Sequence, residues 1–327
     1  MEGKFVITPS PHLKSPRTVR GIMRDVVISL LPASVAAVVL FGVRALLLMV
    51  VSVVSAVLAE ALYEKAVGRD VTVSDYSAAI TGLLLAMTLP PGVPLHIPVV
   101  GSVFAIVVVK QLFGGLGNNF VNPALAGRAF VMAAYPMHMT QDWLQPLTGD
   151  AVSGATPLPL LRGTGAGEMP GLFDLLIGKR SGSLGETCIL ALVIGGLYLV
   201  WRNVIDFRTP LGFLGTIFVG TLVFGKPGEV FRGDGLAAIL LGGAVLGAFF
   251  MATDYVTSPV TPKGRLYMGI GAGFITLIIR LWGGYPEGVT YGILFLNLMT
   301  PLIDRFVVPR YYGYAHDMAA KRNAVGR

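Results

Sequence analysis

The chain has 327 residues, of which 54% are hydrophobic and only 13% are charged, and its mean hydropathy is +0.72. Soluble domains carry about a quarter charged residues, so this composition excludes an ordinary soluble domain and indicates a polytopic membrane protein. The net charge of +7 comes from basic residues beside apolar runs, which points to membrane orientation and not to nucleic-acid binding. The single cysteine, Cys188, excludes an internal disulfide and an iron–sulfur cluster held by this chain alone. The four histidines lack the spacing of a zinc site.

Ten apolar segments follow one another along the chain and are separated by turn-forming or charged residues. They lie at 22–43, 45–64, 76–89, 95–113, 122–136, 185–201, 210–224, 235–251, 266–282 and 288–306. Two of them are short for a membrane span, one stopped by Pro90 and one opened by Pro123. Interrupted helices are tolerated at membrane depth only where protein or a cavity covers their free backbone groups. No signal-cleavage pattern follows the first segment, so we expect it to be retained as a helix.

The basic residues predict an orientation. Most of the 25 lysines and arginines lie before the first segment, after the last, or in loops that ten crossings place on one side, which the positive-inside rule assigns to the cytoplasm. We therefore expect Glu60 and Asp304, near segment ends, to face water or lipid headgroups. The predicted organisation is a cytoplasmic N-terminal segment 1–21, a first membrane repeat 22–136, an extracytoplasmic loop 137–184, a second membrane repeat 185–306 and a cytoplasmic tail 307–327.

The two halves of the chain resemble each other. Ala78–Gly82 followed by Met87–Pro90 parallels Ala237–Ile239 followed by Met251–Thr253. Each copy has five segments, an odd number, so the second copy would run inverted across the membrane. The predicted fold class is an all-α integral membrane protein with about ten transmembrane segments in two inverted five-segment repeats with interrupted helices, which is also the plan of urea-transporter-like proteins. Chance recurrence is the alternative, since the chain has 42 Gly and 21 Pro.

A small polar stretch, GDAVSGATP at Gly149–Pro157, lies in the long gap between the halves. Asp150 can bond forward to the backbone, Gly154 permits a positive φ, and Pro157 prevents a helix from continuing, so the stretch is expected to be a turn. Its small residues leave the hydroxyls of Ser153 and Thr156 open to another molecule. The residues alone leave three interpretations open: an ordinary outer loop, a modification site and a phosphate cradle.

Several blocks of the sequence resemble the RnfD/NqrB family of membrane flavoproteins. Asp150-x-x-Ser153-Gly154-Ala155-Thr156 is similar to the flavinylation motif of that family. The resemblance continues in the same order at Ser10–His12, Asn118–Phe130, Phe250–Pro259 and Gly283–Val289, and so covers essentially the whole chain. The short stretch before the first segment favours the RnfD branch over the NqrB branch.

The resemblance implies two flavins. In this family a flavin transferase joins the phosphate of FMN to the last threonine of the motif, here Thr156, on the extracytoplasmic side. Asp150, Ser153, Gly154 and Ala155 would then shape the loop for the transferase. Relatives also hold a noncovalent riboflavin within the membrane portion.

The residues offer candidates for the riboflavin environment. Asn118, Asn119 and Asn122 flank an interrupted helix, and Arg128 follows within one or two turns of Pro123. The alternative for the asparagines is that they satisfy backbone groups freed by the break. Asp254 lies beside another apparent break and is either a functional acid or a loop residue near the cytoplasmic surface.

The implied function is that of an electron-carrying subunit of an ion-translocating ferredoxin:NAD oxidoreductase complex, with Na⁺ or H⁺ as the ion, in the bacterial cytoplasmic membrane. Its expected partners are membrane lipid, the flavin transferase and the other flavin-bearing and iron–sulfur subunits. The alternatives are an NqrB-type subunit of a Na⁺-pumping NADH:quinone reductase, a small-solute channel of the urea-transporter type, and a structural scaffold within a complex. A channel or a scaffold has no need of a flavin-accepting threonine, which distinguishes them from the flavoprotein.

Overall fold

The computed structural model describes residues 17–147, 171–225, 231, 233–283 and 287–308, which are helical without a β-strand. The first half contains α1 (Val19–Phe41), α2 (Val43–Val67), α3 (Ser77–Met87), α4 (His96–Val103), which continues as a π-helix (Phe104–Gln111), α5 (Pro123–Ala134) and α6 (Pro136–Gln141). The second half contains α7 (Leu172–Ile177), α8 (Ile189–Trp201), α9 (Arg208–Phe224), α10 (Gly235–Leu240), α11 (Ala244–Leu246), which continues as a π-helix (Gly247–Met251), α12 (Pro262–Trp282) and α13 (Val289–Phe306).

Each of the ten apolar segments contains helix, but the segment at 235–251 is not continuous. It breaks between α10 and α11, where Gly242 adopts a positive φ of 67°. Glycine adopts this conformation without the strain that a Cβ would impose, so the chain can bend there. The sequence predicts 235–251 as one segment and does not place a break within it.

Local capping explains where several helices begin. The Thr18 hydroxyl accepts a hydrogen bond from the Gly21 N–H at the start of α1, and Thr261 does the same for Gly264 at the start of α12. At α5 the side chain of Asn122 accepts from two backbone N–H groups and Pro123 occupies the first turn. These are the residue types that satisfy the unpaired N–H groups of a helix start.

Within the described residues, three helices are long and apolar enough to cross a membrane: α1, α2 and α12. Their outward faces carry large apolar side chains, such as Val39 in α1 and Leu62 in α2, which are 67% and 66% exposed. α3, α5, α8, α9 and the joined helix His96–Gln111 are shorter and apolar. A protein surface of this kind is suited to lipid and not to water.

The helices pack in a similar order in the two halves. In the first half α2 packs on α3 and α4, and α4 packs on α5. In the second half α9 packs on α10 and α12, and α12 packs on α13. The halves meet where α1 packs on α8 and where α5 packs on α13. A buried core that includes Leu30, Phe213 and Met251 joins these helices.

The loops gather at two opposite ends of the helices. At one end Arg17 donates to the carbonyl of Asn203 at 2.9 Å, and Arg202 forms an ion pair with Asp25 at 3.1 Å. We call this end, formed by residues 17–18, 202–208 and 252–265, the arginine face. The other end, formed by residues 42–44, 88–95, 142–147 and 178–188, is called the loop face.

Candidate functional site

A largely apolar cavity of about 90 Å³ opens near the arginine face. Its walls come from α1, from the first turns of α3 and α5, from the end of α8 and from residues 249–256. Eight polar side chains reach its lining: Ser77, Thr81, Lys110, Asn119, Asn122, Thr253, Asp254 and Tyr255. The enclosed space is enough for several waters. A three-ring flavin therefore also needs the open clefts of about 460 and 290 Å³ that adjoin it on the arginine face.

Asn122 holds the two halves together at this cavity. Its Oδ1 accepts from the N–H groups of Ala124 and Leu125 at 3.0 and 3.3 Å, and its Nδ2 donates to the Met251 carbonyl at 3.2 Å. When the Asn297 amide is oriented to satisfy its neighbours, its oxygen accepts from the Asn122 N–H at 3.0 Å. Asn122 therefore satisfies backbone groups at the start of α5 and at the end of the π-helix Gly247–Met251. This is the structural role that the sequence analysis gave as the alternative to flavin binding.

Asn119 and Asp254 meet across the same cavity. The Asn119 side chain donates to the Val121 carbonyl at 3.1 Å and is hydrogen-bonded to Asp254. Asp254 is half-buried and also accepts from the Thr257 hydroxyl at 3.2 Å. A carboxylate and an amide at the edge of an apolar cavity match the needs of a flavin, whose ring is apolar and whose N–H and carbonyl edge is polar. The chemistry of the lining therefore fits a flavin ring.

Two other sequence candidates do not reach this cavity. Asn118 is exposed and donates to the Gly114 carbonyl at 3.3 Å. Arg128 lies toward the loop face and away from this cavity. There it is buried and paired with Glu186 at 3.4 Å and, in a closer contact, with Glu287. The structure therefore brings Asn119, Asn122 and Asp254 together and separates Arg128 from them.

The Arg128 contacts form part of a buried charged cluster near the loop face. Arg180 donates to the Glu186 carbonyl at 2.8 Å, and Arg280 donates to the carbonyls of Ala238 and Leu241 at 2.6 and 3.1 Å. All five charged side chains of this cluster are at most 8% exposed: Arg128, Arg180, Glu186, Arg280 and Glu287. Buried charges need ion-pair or hydrogen-bond partners, and each of these five side chains has at least one.

The two carboxyl groups of the cluster differ in their proton affinity. Burial and the neighbouring Glu287 carboxylate raise the pKa of Glu186 to about 8, against the opposing effect of Arg128. Burial also acts to raise the pKa of Glu287, but Arg128, a hydrogen bond from Glu186 and Arg280 together lower it. Glu186 is therefore the protonated partner near neutral pH and Glu287 the ionised one.

A second buried charge pair lies near the arginine face. The Lys110 Nζ lies 2.5 Å from the Glu60 Oε1 and donates to the Ser77 hydroxyl at 2.5 Å, while Gln111 donates to the same Glu60 oxygen at 2.7 Å. Glu60 is 0% exposed, so the expectation that it faces water or headgroups was wrong. A carboxylate near a helix end is buried here because a lysine and an amide from the π-helix surround it. Asp304, half-exposed, accepts from the Val260 N–H at 3.1 Å.

The residues of the flavinylation motif, Asp150, Ser153, Gly154, Ala155 and Thr156, lie outside the described residues. The chain on either side of them is described. The Leu147 N–H donates to the Leu40 carbonyl at 2.7 Å, and Leu175 packs against Ala237 and Leu241. Both flanks are therefore attached at the loop face.

Sequence reasoning missed Lys110, Glu186 and Glu287 as site residues. Lys110 interrupts an apolar segment, and a charge inside such a segment is a recognisable signal of a buried pair. The two glutamates precede apolar segments and look like ordinary segment ends, so nothing local marks them. Groups of histidine, cysteine, aspartate or glutamate that could hold a metal ion are absent among the described residues.

Comparison with known proteins covers nearly the whole chain. The model of the NQR2, RnfD, RnfE family matches residues 6–313. A subunit of the Na(+)-translocating ferredoxin:NAD(+) oxidoreductase complex of Acetobacterium woodii is 49% identical over 95% of this chain and 96% of its own length. The corresponding subunit of the proton-translocating ferredoxin:NAD(+) oxidoreductase complex of Clostridium ljungdahlii is 42% identical over 94% and 96%. That of the ion-translocating oxidoreductase complex of Escherichia coli O7:K1 is 35% identical over 95% and 99%.

Proposed function

The chain belongs to the NQR2, RnfD, RnfE family, and from that premise we propose that it is the membrane subunit of an ion-translocating ferredoxin:NAD⁺ oxidoreductase complex. The observation that carries this is 49% identity, over 95% of the chain, to a subunit of such a complex. A chain of this kind is one part of an oxidoreductase and not a complete enzyme. The first two relatives described above are named for different ions, Na⁺ and H⁺. The proposal therefore assigns neither ion to the complex that contains this chain.

The partners follow from the same proposal. The relatives are named as subunits of complexes, so this chain assembles with other subunits that pass electrons to and from it. The chain is proposed to lie in the bacterial cytoplasmic membrane in contact with lipid, and the apolar outer faces of α1 and α2 support this.

Thr156 is proposed to carry FMN covalently through a phosphoester bond formed by a flavin transferase. Support comes from the D-x-x-S-G-A-T sequence of residues 150–156 and from the attachment of both flanks at the loop face, opposite the clustered arginines. By the positive-inside rule the arginine face is cytoplasmic, and the flavin is then extracytoplasmic. When bound, the flavin ring supplies one-electron redox chemistry, and a covalent link retains it through repeated turnover.

The test is whether flavin stays with the chain after denaturation. The complex is purified from cells that contain the flavin transferase, and the denatured band is examined for flavin fluorescence and, by mass spectrometry, for a flavin on the peptide that contains Thr156. Thr156→Ala is expected to remove the fluorescence, while Ser153→Ala, which removes a neighbouring hydroxyl, retains the link at Thr156. An unmodified wild-type peptide would overturn the covalent proposal, while assembly of that chain with the other subunits would leave the subunit proposal intact.

The membrane topology is proposed to be ten segments in two inverted repeats. Support comes from the similar packing order of the two halves and from a matched pair of buried cations. Lys110 lies at the end of the fourth segment and donates to the Ser77 hydroxyl at the start of the third segment. Arg280 lies at the end of the ninth segment and donates to two backbone carbonyls of the eighth segment. The two cations lie at opposite faces, as inversion requires. In a Cys188→Ser background, Thr18→Cys and Asp142→Cys should react with a membrane-impermeant thiol reagent from opposite sides.

A noncovalent flavin, riboflavin by resemblance, is proposed to occupy the cavity lined by Asn119, Asn122 and Asp254. Asn119 and Asp254 would bind the polar edge of the ring, while Asn122 supports the helix breaks around it. Asp254→Asn is expected to lower the flavin that acid extraction releases from the purified complex. Asp142→Asn at the loop face serves as the control and should leave that amount unchanged. Equal extraction from both variants would refute the assignment of the cavity.

A further inference from the structure

The carboxyl groups of Glu186 and Glu287 converge on the guanidinium group of Arg128 and lie close enough to share a hydrogen bond. A carboxylate oxygen only accepts hydrogen bonds, so a direct bond between two carboxyl groups requires one of them to carry a proton. Both side chains are buried, at 2% and 8% exposure. Glu186 lies in the segment 178–187 and Glu287 lies two positions before α13, so the pair joins parts of the chain that are about 100 residues apart.

Three arginines and a close backbone contact surround the pair. Arg128 of α5 contacts both carboxyl groups and neutralises one negative charge. Arg180 donates to the Glu186 backbone carbonyl, and Arg280 of α12 donates to the carbonyls of Ala238 in α10 and of Leu241 directly after it. The break between α10 and α11 contributes Gly243, at which an added Cβ would lie 2.7 Å from the Glu186 Oε1. Burial and the repulsion between two adjacent carboxylates favour one proton on the pair, against the attraction that Arg128 and Arg180 exert on the ionised form.

A route for the proton is also present. A cavity of about 10 Å³ lies beside Arg128 and Glu287 and is also lined by Tyr291 of α13. This volume corresponds to about one water molecule. One water beside the pair is enough to accept a proton from it or return one to it.

We propose that Glu186 and Glu287 form a proton-binding site that holds the segment 178–187 between the two halves of the chain. The protonated Glu186 donates to the ionised Glu287, and the segment is held further by hydrogen bonds from the Leu184 and Gly185 N–H groups to the carbonyls of Leu89 and Met87. When the proton leaves, the O–H bond of Glu186 breaks, its electron pair stays on the carboxylate, and the proton passes to water at the loop face. The site needs no flavin, so its test is independent of Thr156.

The direction of the pH effect follows from the raised pKa of Glu186. A free glutamate loses its proton near pH 4.5, whereas the seated Glu186 keeps it to about pH 8. Between these pH values Glu186 binds the proton only while the segment 178–187 is packed in place. Rising pH therefore favours release of the segment, by at most tenfold per pH unit. Above about pH 8 both states are deprotonated and the dependence levels off.

Cys188 provides a probe beside the segment. It is the only cysteine of the chain, is free, and is half-buried. The rate at which iodoacetamide modifies Cys188 in the purified complex is measured between about pH 5.5 and about pH 9 and compared between wild type and Glu186→Gln. Glutamine is close in shape to glutamic acid and donates to Glu287 without titrating, so the ratio of the two rates removes the titration of the thiol itself.

The expected ratio of the wild-type rate to the Glu186→Gln rate rises several-fold up to about pH 8 and then stays constant. Asp25→Asn, which removes a buried carboxylate at the arginine face, should retain the wild-type profile. A ratio that does not change with pH would overturn the proposal.

Infrared difference spectra of the same proteins give a second measurement that does not depend on release of the segment. The wild type should show the carbonyl stretch of a buried, protonated carboxyl group, and this band should disappear above about pH 8 and be missing in Glu186→Gln. A band that persists unchanged in Glu186→Gln would assign the proton to another group and refute the site.

Discussion

The contact between α1 and α8 allows a sharp test of how the two halves meet. A Cβ added to Gly195 of α8 would lie 2.0 Å from the Ser29 carbonyl oxygen of α1 and 3.2 Å from the Phe250 ring. The carbonyl belongs to the helix backbone and cannot rotate away, so α1 would have to retreat by about 1.4 Å to reach an ordinary contact. Gly195→Ala is therefore expected to destabilise the chain.

The loss of stability in Gly195→Ala is measured by comparison with a second helical glycine, Gly215. Overpacking of this kind costs about 1–3 kcal/mol, while alanine is favoured over glycine inside a helix by about 1 kcal/mol. Gly215 of α9 has no atom within 4 Å of an added Cβ, so Gly215→Ala gains the helical preference without the clash. The helical preference cancels between the two variants, and the difference in their unfolding free energies is expected to be about 1–3 kcal/mol.

The assay is unfolding of the purified chain in mixed micelles as the fraction of sodium dodecyl sulfate rises, followed by circular dichroism. Gly195→Ala should unfold at a lower fraction than the wild type, and Gly215→Ala at the same fraction or a higher one. If both variants unfolded together, the close approach of α1 to α8 would be refuted.

Two further predictions use the same unfolding assay. Lys110→Met leaves the buried Glu60 carboxylate with Gln111 as its remaining donor, so it should destabilise the chain by about 3–5 kcal/mol. Adding Glu60→Gln to this variant should recover most of the lost stability. An additive loss in the double variant would contradict the pairing of Lys110 with Glu60. Asn122→Ala removes the cap of α5 and its link to the second half, which should cost about 1–2 kcal/mol; Asn118→Ala, at an exposed side chain, is the control and should have little effect.

The sequence predicts the helical segments well because apolar length and helix breakers are local properties. The pair Asn122 and Pro123 is an example, since a capping residue followed by proline marks a helix start on its own. The break at Gly242 was not predicted, although the Gly242-Gly243 pair is a local breaker signal within the apolar run.

The buried charges were less predictable because their partners are distant in the sequence. Glu60 and Lys110 are separated by 50 positions, and Arg128 and Glu287 by 159. No spacing rule connects such residues, so a glutamate near the end of a segment looks the same whether it faces lipid headgroups or a buried lysine. Asn119 and Asp254 could be proposed individually as site residues, but only the fold brings them to one cavity.

The π-helix at Phe104–Gln111 has a consequence for this part of the molecule. Its wider turns allow two consecutive side chains, Lys110 and Gln111, to reach the same oxygen of Glu60. In a regular α-helix, neighbours along the chain point about 100° apart. Deleting a single residue within 104–109 would restore regular winding and separate the directions of these two side chains by about 100°, so the length of this stretch is constrained as well as its composition.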